Sequence, residues 1–204
     1  MDTTGPTSDA AVLVIDMQNG FCHPDGSVPR HLEPLPRMAE VVAANADLLA
    51  AAREAGLPIV YTRHVFRPGR LDAPASTVAA FPADAEPLLR GSWDADVVGE
   101  LAPRPDDVVI DKNRFDAFLY TDLEVVLRAM GIRRLLVTGV VTSICVESTV
   151  RSAQQRDFAV HVAEDCTSAP ADQHQAALDV MAYIFATVAP WKECLSALVT
   201  PAGS

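Results

Sequence analysis

Three residues of this chain are of types that do chemistry, and each stands just beyond an apolar run: Asp16 in "VLVIDMQNGF", Lys112 in "VIDKNRFDAF" and Cys145 in "VTGVVTSICVEST". A thiol at or near a helix start meets exposed N–H groups and the positive end of the dipole, which favour a thiolate. A nearby ammonium favours it further. A carboxylate can take the thiol proton and later hand it to a leaving nitrogen. Acid–base group, cation and nucleophile together describe a site for acyl transfer. Taken singly, each residue has a plainer reading. Asp16 is a turn or N-cap residue, Lys112 a solvated surface lysine and Cys145 a small buried hydrophobe. Their joint placement is what carries the chemical reading.

That placement depends on the elements around them. "AAVLVID" (Ala10–Asp16), "PIVYTR" (Pro58–Arg63), "DVVID" (Asp107–Asp111), "RLLVTGVV" (Arg134–Val141), "AVHVA" (Ala159–Ala163) and "IFATV" (Ile184–Val188) have the short apolar or β-branched character of strands. Between them, Met38, Val41, Val42, Asn45, Leu48, Leu49 and Ala52 recur at helical spacing before the stop signal Gly56. "TDLEVVLRAMG" opens on a capping box, Thr121 with Glu124, and closes at Gly131. Further helices are expected from about Ser143 to Arg156 and from about Ala171 to Ala182. Strands joined through helix-length connections must run parallel. The expected fold is therefore a single-domain, doubly wound, Rossmann-like α/β sheet of about six mostly parallel strands with helices on both faces. Sites in such sheets lie beyond the carboxyl ends of the strands, where Asp16, Lys112 and Cys145 all fall. Residues 1–9 are expected to be a disordered terminus before a domain spanning 10–204. The aperiodic segment His64–Gly91 is long for a connection, which suits a substrate loop or lid.

Composition removes several classes of function. The 204 residues carry 16 Lys plus Arg against 27 Asp plus Glu, a net charge of −11. So acidic a surface repels phosphate backbones and anionic lipids, which excludes nucleic acid and membrane as natural partners. No apolar run is long enough to span a bilayer, and the first ten residues have no signal-peptide pattern. The four cysteines are widely spaced, without a CxxC pair. That pattern argues against a disulfide scaffold and for a reducing cytoplasm, which leaves a reactive thiol free.

The three quoted segments, in this order, resemble the signatures of the isochorismatase-like cysteine hydrolases, and the resemblance covers about residues 10 to 190. It implies a catalytic triad of Asp16, Lys112 and Cys145. It also implies a cis peptide between Val140 and Val141 and an oxyanion hole from the backbone N–H groups of Val141 and Cys145. No cofactor is implied. The activity implied is thioester-mediated hydrolysis of a C–N bond (amide, carbamoyl, ureido or lactam) in a small molecule, by a homo-oligomer. Two alternatives stand beside it. One is isochorismatase-type cleavage of a vinyl ether, which the presence of Cys145 disfavours. The other is a non-enzymatic binding protein on the same scaffold.

Nicotinamidases of the same group place an Asp-x-His metal motif after the second strand. Here "YTRHVFRPG" has Thr62 two residues before His64, so no metal site is expected and His64 is a pocket or surface histidine. "GSWDADVVGEL" and "CVEST" resemble the ureidoacrylate and carbamoyl-amide branch. Phe21, Trp93, Phe115 and Phe118 are candidates for the pocket wall. Arg63 and Arg114 are candidates for holding a substrate carboxylate. Cys22, Cys166 and Cys194 match no motif and are expected to be structural.

Overall fold

The computed structural model describes residues 8–199. Its centre is a six-stranded sheet in the order β3-β2-β1-β4-β5-β6, and every pairing is parallel. β1 (Ala10–Ile15) has no exposed residue, because neighbours pair on both its edges and helices cover both its faces. Helices α1 (Asn19–Cys22), α2 (Ser27–His31) and α3 (Met38–Glu54) follow it. The stripe that α3 buries is Val41, Asn45, Leu48, Leu49 and Ala52. The one polar member is satisfied: Asn45 Nδ2 donates to the carbonyls of Val41 and Cys166, and its Oδ1 accepts from Thr138 Oγ1.

β2 (Ile59–His64) lies beside β1, and a long connection containing α4 (Ala75–Ala80) leads to β3 (Val108–Lys112) at the sheet edge. The chain then returns through α5 (Leu123–Ala129) to β4 (Arg134–Val140), which pairs with the free side of β1. From there α6 (Glu147–Gln154), β5 (Ala159–Ser168), α7 (Ala171–Val180), β6 (Thr187–Ala189) and α8 (Trp191–Val199) complete the order. α3 and α8 cover one face of the sheet with Leu48, Leu49, Leu195 and Leu198. α5, α6 and α7 cover the other with Leu123, Leu127, Val150, Ala153 and Leu178. The strand order reverses between β1 and β4, so a crevice opens beyond their carboxyl ends.

Gly139 makes the β1–β4 approach possible. It adopts φ +108°, and a Cβ on it would stand 2.0 Å from the carbonyl oxygen of Ile15. No other residue type fits so close to a neighbouring backbone.

Several expectations change. The stretch expected to be strand Ile184–Val188 is divided: Ile184 and Phe185 end a π-helical turn, and β6 starts at Thr187. The expected Thr121–Glu124 capping box does not form. Thr121 Oγ1 instead accepts from the Leu123 N–H and donates to the Ala117 carbonyl, while Glu124 turns to Arg128 and Arg156. Of the expected disordered stretch 1–9, residues 1–7 lie outside the described residues. Asp9 is fastened, its carbonyl accepting from the N–H groups of Arg133 and Arg134 at 2.7 and 3.0 Å.

Candidate active site

The first turn after β1 carries Asp16. Its φ of +52° is a left-handed conformation that aspartate tolerates better than most residues, and it turns the chain sharply off the sheet. Thr62, on β2, accepts the Asp16 N–H at 3.2 Å and returns a 2.6 Å hydrogen bond from Oγ1 to Oδ1. Oδ2 faces Lys112 Nζ at 2.6 Å. Lys112 ends β3, in register with His64 at the end of β2. Its ammonium also donates to the Arg114 carbonyl at 3.0 Å and stands 3.4 Å from His64 Nδ1.

Cys145 arrives from the other side of the switch point. β4 ends at a cis peptide between Val140 and Val141. A π-helical turn, Thr142–Val146, then runs into α6 and carries the cysteine. Thr142 pins this turn, its Oγ1 hydrogen-bonded with Thr167 Oγ1 at 2.6 Å and with His174 Nδ1 at 3.0 Å. The Cys145 Sγ lies within 4.8 Å of an Asp16 carboxylate oxygen and of a His64 ring nitrogen. Asp16, Lys112, His64 and Cys145 are all buried, none more than 3% exposed.

The electrostatics follow from burial and from the Asp16–Lys112 pair. Burial pushes the Cys145 thiol up to about 12, and Asp16 adds to this, while Lys112 opposes it. Burial therefore favours the neutral thiol, against the thiolate that a helix start favours. For Lys112, burial pulls the pKa down, but Asp16 and Cys145 outweigh it and the net direction is up. His64 is lowered to about 3, by burial first and by the Lys112 ammonium second. Its imidazole is neutral at any ordinary pH.

A cavity of about 230 Å³ opens over Cys145. Phe21 and Phe115 from the expected pocket wall do line it, together with Val141, Cys145 and His64. The other expected contacts point elsewhere. Phe118 is not among the cavity's lining residues; it is buried with its ring against Phe158 at 5.8 Å and under the Arg156 guanidinium. The Trp93 ring packs edge-on to His23 at 5.0 Å and lines a separate surface cleft. Arg63 is paired with Asp111 at 2.9 Å and Asp96 at 3.6 Å. Arg114 Nη1 donates to the carbonyls of Asp72 and Asn113. The segment after His64 does wall the cavity, through Phe66, Ser76, Thr77, Ala80, Phe81 and Leu88.

Two supporting residues escaped the sequence reading. In the sequence Thr62 stands out only as the position where nicotinamidases have aspartate. Gln18 lies within the first motif, but its task depends on where the chain returns. Its Oε1 accepts from the His64 N–H at 2.7 Å, and its Nε2 donates to the carbonyls of His64 and Ala95, both at 2.9 Å.

Among the described residues, the one group that could hold a metal is Asp16, His64 and Cys145, whose ligand atoms lie within 4.8 Å of one another. Lys112 Nζ sits against two of the three, so an ammonium already supplies positive charge there.

A doubly wound parallel sheet with an acid, an ammonium and a thiol at its switch point defines the class, an α/β protein whose site can carry acyl chemistry. The chain belongs to the isochorismatase family: the Isochorismatase domain matches residues 10–193. The ureidoacrylate amidohydrolase RutB of Methylobacterium radiotolerans is 34% identical over 205 residues, covering 93% of this chain and 80% of that protein. The structure of a cysteine hydrolase from Pseudomonas syringae pv. phaseolicola matches with a TM-score of 0.84 at 31% identity, covering 97% of this chain and 98% of that one. The N-carbamoylsarcosine amidase of Thermoplasma acidophilum matches with a TM-score of 0.73 at 26% identity, covering 89% and 96% respectively. Among the described residues, no helix is long and apolar enough to cross a membrane.

Proposed function

We propose that this chain is an amidohydrolase in which Cys145 cleaves a C–N bond of a small molecule through a thioester. The observation that supports the reading is the grouping of the buried Cys145 thiol with the Asp16 carboxylate, their nearest ligand atoms within 4.8 Å, beside the 2.6 Å pair of Lys112 Nζ with Asp16 Oδ2 and at the base of a cavity. A neutral thiol next to a carboxylate is ready for attack with concerted proton transfer. Cys145 Sγ bonds to the carbonyl carbon as its proton passes to Asp16. The backbone N–H groups of Val141 and Cys145 receive the developing oxyanion. Asp16 then protonates the nitrogen as the C–N bond breaks and the amine or ammonia departs. Water loses a proton to Asp16 and attacks the thioester, and the released thiol takes that proton back. Lys112 holds the carboxylate in place throughout and offsets negative charge near sulfur.

The names of the ureidoacrylate amidohydrolase and the N-carbamoylsarcosine amidase support carbamoyl and ureido compounds as the first to test. Four unpaired cysteines suit a reducing cytoplasm, and a homo-oligomer belongs to the same reading. Vinyl-ether cleavage makes no use of a buried thiol in this position.

The test begins with ammonia release from a panel of amides, carbamoyl compounds, ureides and lactams. With the substrate in hand, Cys145→Ala should lose at least about a thousandfold in kcat/KM while keeping its far-ultraviolet circular dichroism. Mass spectrometry of the quenched parent enzyme should find the acyl group on the Cys145 peptide. Activity of Cys145→Ala within about tenfold of the parent would remove the nucleophile and the reading with it.

A further inference from the structure

The walls of the cavity over Cys145 say more than the catalytic groups beneath it. Phe21, Phe66, Phe81, Leu88, Phe115 and Ile144 are among the apolar residues that line it. Its lining includes no Lys, Arg, Asp or Glu; the polar members are His64, Ser76, Thr77 and the cysteine itself. At about 230 Å³ it is smaller than the roughly 300–1,000 Å³ of drug-sized sites, so it suits a small compound.

The nearby cations are committed elsewhere. Arg63 is tied to Asp111 and Asp96, and Arg114 to two backbone carbonyls. Lys112 is buried against Asp16. A carboxylate carried into this cavity would lose its water and meet no counter-ion, an arrangement that proteins avoid. The chain's net charge of −11 works in the same direction from outside.

Among the described residues that line this cavity, one buried side-chain atom lacks a hydrogen-bond partner, and it belongs to a neutral group. Lys112 Nζ stands 3.4 Å from His64 Nδ1, and an ammonium can only donate, so Nδ1 accepts and the ring proton sits on Nε2. Nε2 is buried and has no hydrogen-bond partner among the described residues. The ring lies between two cavity aromatics, 4.8 Å from Phe66 and 5.9 Å from Phe115. A buried donor without a partner calls for an acceptor from the ligand.

We infer that, within the amide-type range proposed above, the site takes an uncharged substrate whose acyl arm is apolar, presents one neutral acceptor such as a carbonyl or ether oxygen to His64, and bears no carboxylate, which sets it apart from the carboxylate-bearing compounds that the names ureidoacrylate amidohydrolase and N-carbamoylsarcosine amidase denote. This rests on Cys145 being the nucleophile, and the test separates the two claims. Activated esters serve as probes because they acylate without depending on the natural leaving group. 4-Nitrophenyl valerate carries a neutral arm of nearly the same size as the anionic arm of mono-4-nitrophenyl glutarate. In each, the Cys145 Sγ–C bond forms, the C–O bond to 4-nitrophenolate breaks, and the thiol proton goes to Asp16. Acylation rates are normalised to those of N-acetylcysteine, and the adduct is located by mass spectrometry.

The expected result is acylation of Cys145 by the valerate at least about a hundredfold faster than by the glutarate after normalisation. Phe81→Arg, which places a cation in the half-buried wall, should shrink that ratio at least about tenfold by accelerating the anionic probe. Equal rates within about threefold, with the adduct on Cys145, would overturn the substrate class and leave the nucleophile standing. An unchanged ratio in Phe81→Arg would also overturn it, since electrostatics would then not be the ground of exclusion. Neither probe labelling Cys145 would overturn both claims.

Discussion

Replacing Gly139 by alanine tests the contact that sets β4 against the end of β1. The new Cβ would lie 2.0 Å from the Ile15 carbonyl oxygen and 2.7 Å from two further backbone atoms of that residue. An ordinary contact is above 3.4 Å, so strands in register from Ala10↔Arg134 to Ile15↔Gly139 must separate by more than an ångström at their ends. No flexible side chain can yield, because all three of these neighbouring atoms are backbone. Holding alanine at φ +108° adds roughly 1–3 kcal/mol of strain, and overpacking of this kind typically adds roughly 1–3 kcal/mol more. A total near 4 kcal/mol in a chain of this size lowers Tm by about 8–16 °C. Thermal unfolding followed by circular dichroism reads the shift. Gly99→Ala is the control: nothing lies within 4 Å of its Cβ, so its Tm should stay within about 2 °C of the parent. Asp16 directly follows Ile15, so the fraction of Gly139→Ala that folds should also turn over poorly. A Tm within about 3 °C of the parent would refute the argument, because the strands would then have room the geometry denies them.

Lys112→Met should abolish turnover and destabilise by roughly 3–5 kcal/mol, since it leaves the Asp16 carboxylate buried and unpaired; the double variant Asp16→Asn/Lys112→Met should regain stability in urea melts but no activity. His64 titrates near 3 when folded and near 6.5 when unfolded, so the unfolded chain binds the extra proton and stability falls as pH drops from about 6.5 towards 3. Between pH 7 and pH 5 the parent should therefore lose about 2 kcal/mol more than His64→Gln, and parallel pH slopes of the two in urea melts would show that the histidine is not held neutral. Dialysis against a strong chelator should leave turnover unchanged, with Lys112 supplying the charge beside Asp16; activity lost on chelation and restored by zinc, iron or manganese would assign a metal to Asp16, His64 and Cys145.

The sequence announces what depends on local pattern. Ala10–Asp16 is a continuous apolar run because β1 is covered on both faces, and Arg134–Val141 reads the same way for the same reason. Asp16, Lys112 and Cys145 are legible because strand ends in a doubly wound sheet converge at known places. Side-chain direction is not encoded in spacing. Arg63 follows a strand as a substrate-binding residue would, yet in the folded chain it meets Asp111 of the neighbouring strand. Trp93 belongs to an irregular segment, and its direction follows from the bond of its own carbonyl to Asn19 Nδ2, a partner 74 residues earlier. The short helices α1, α2 and α4 carry too few residues for a periodicity to register, and α4 lies inside the aperiodic segment His64–Gly91. The raised pKa of Cys145 has a similar origin: helix polarity is visible in sequence, while the depth at which the thiol is buried is not.

The Gln18 amide has a meaning for how this scaffold can change. One side chain grips His64 at the start of the cavity-walling segment and Ala95 just past its end. The residues between leave from and return to a single anchor that belongs to neither end of the segment. Closing a loop of different length between fixed ends adds only about 0.6 kcal/mol for each doubling of that length. The length of the stretch can thus change at little entropic cost, while Phe66 and Leu88 seat it in the core and Gln18 holds its ends. Grafting segments from relatives between Val65 and Asp94, with Gln18 retained, is a direct route to new substrate preferences on an unchanged thiol, carboxylate and ammonium.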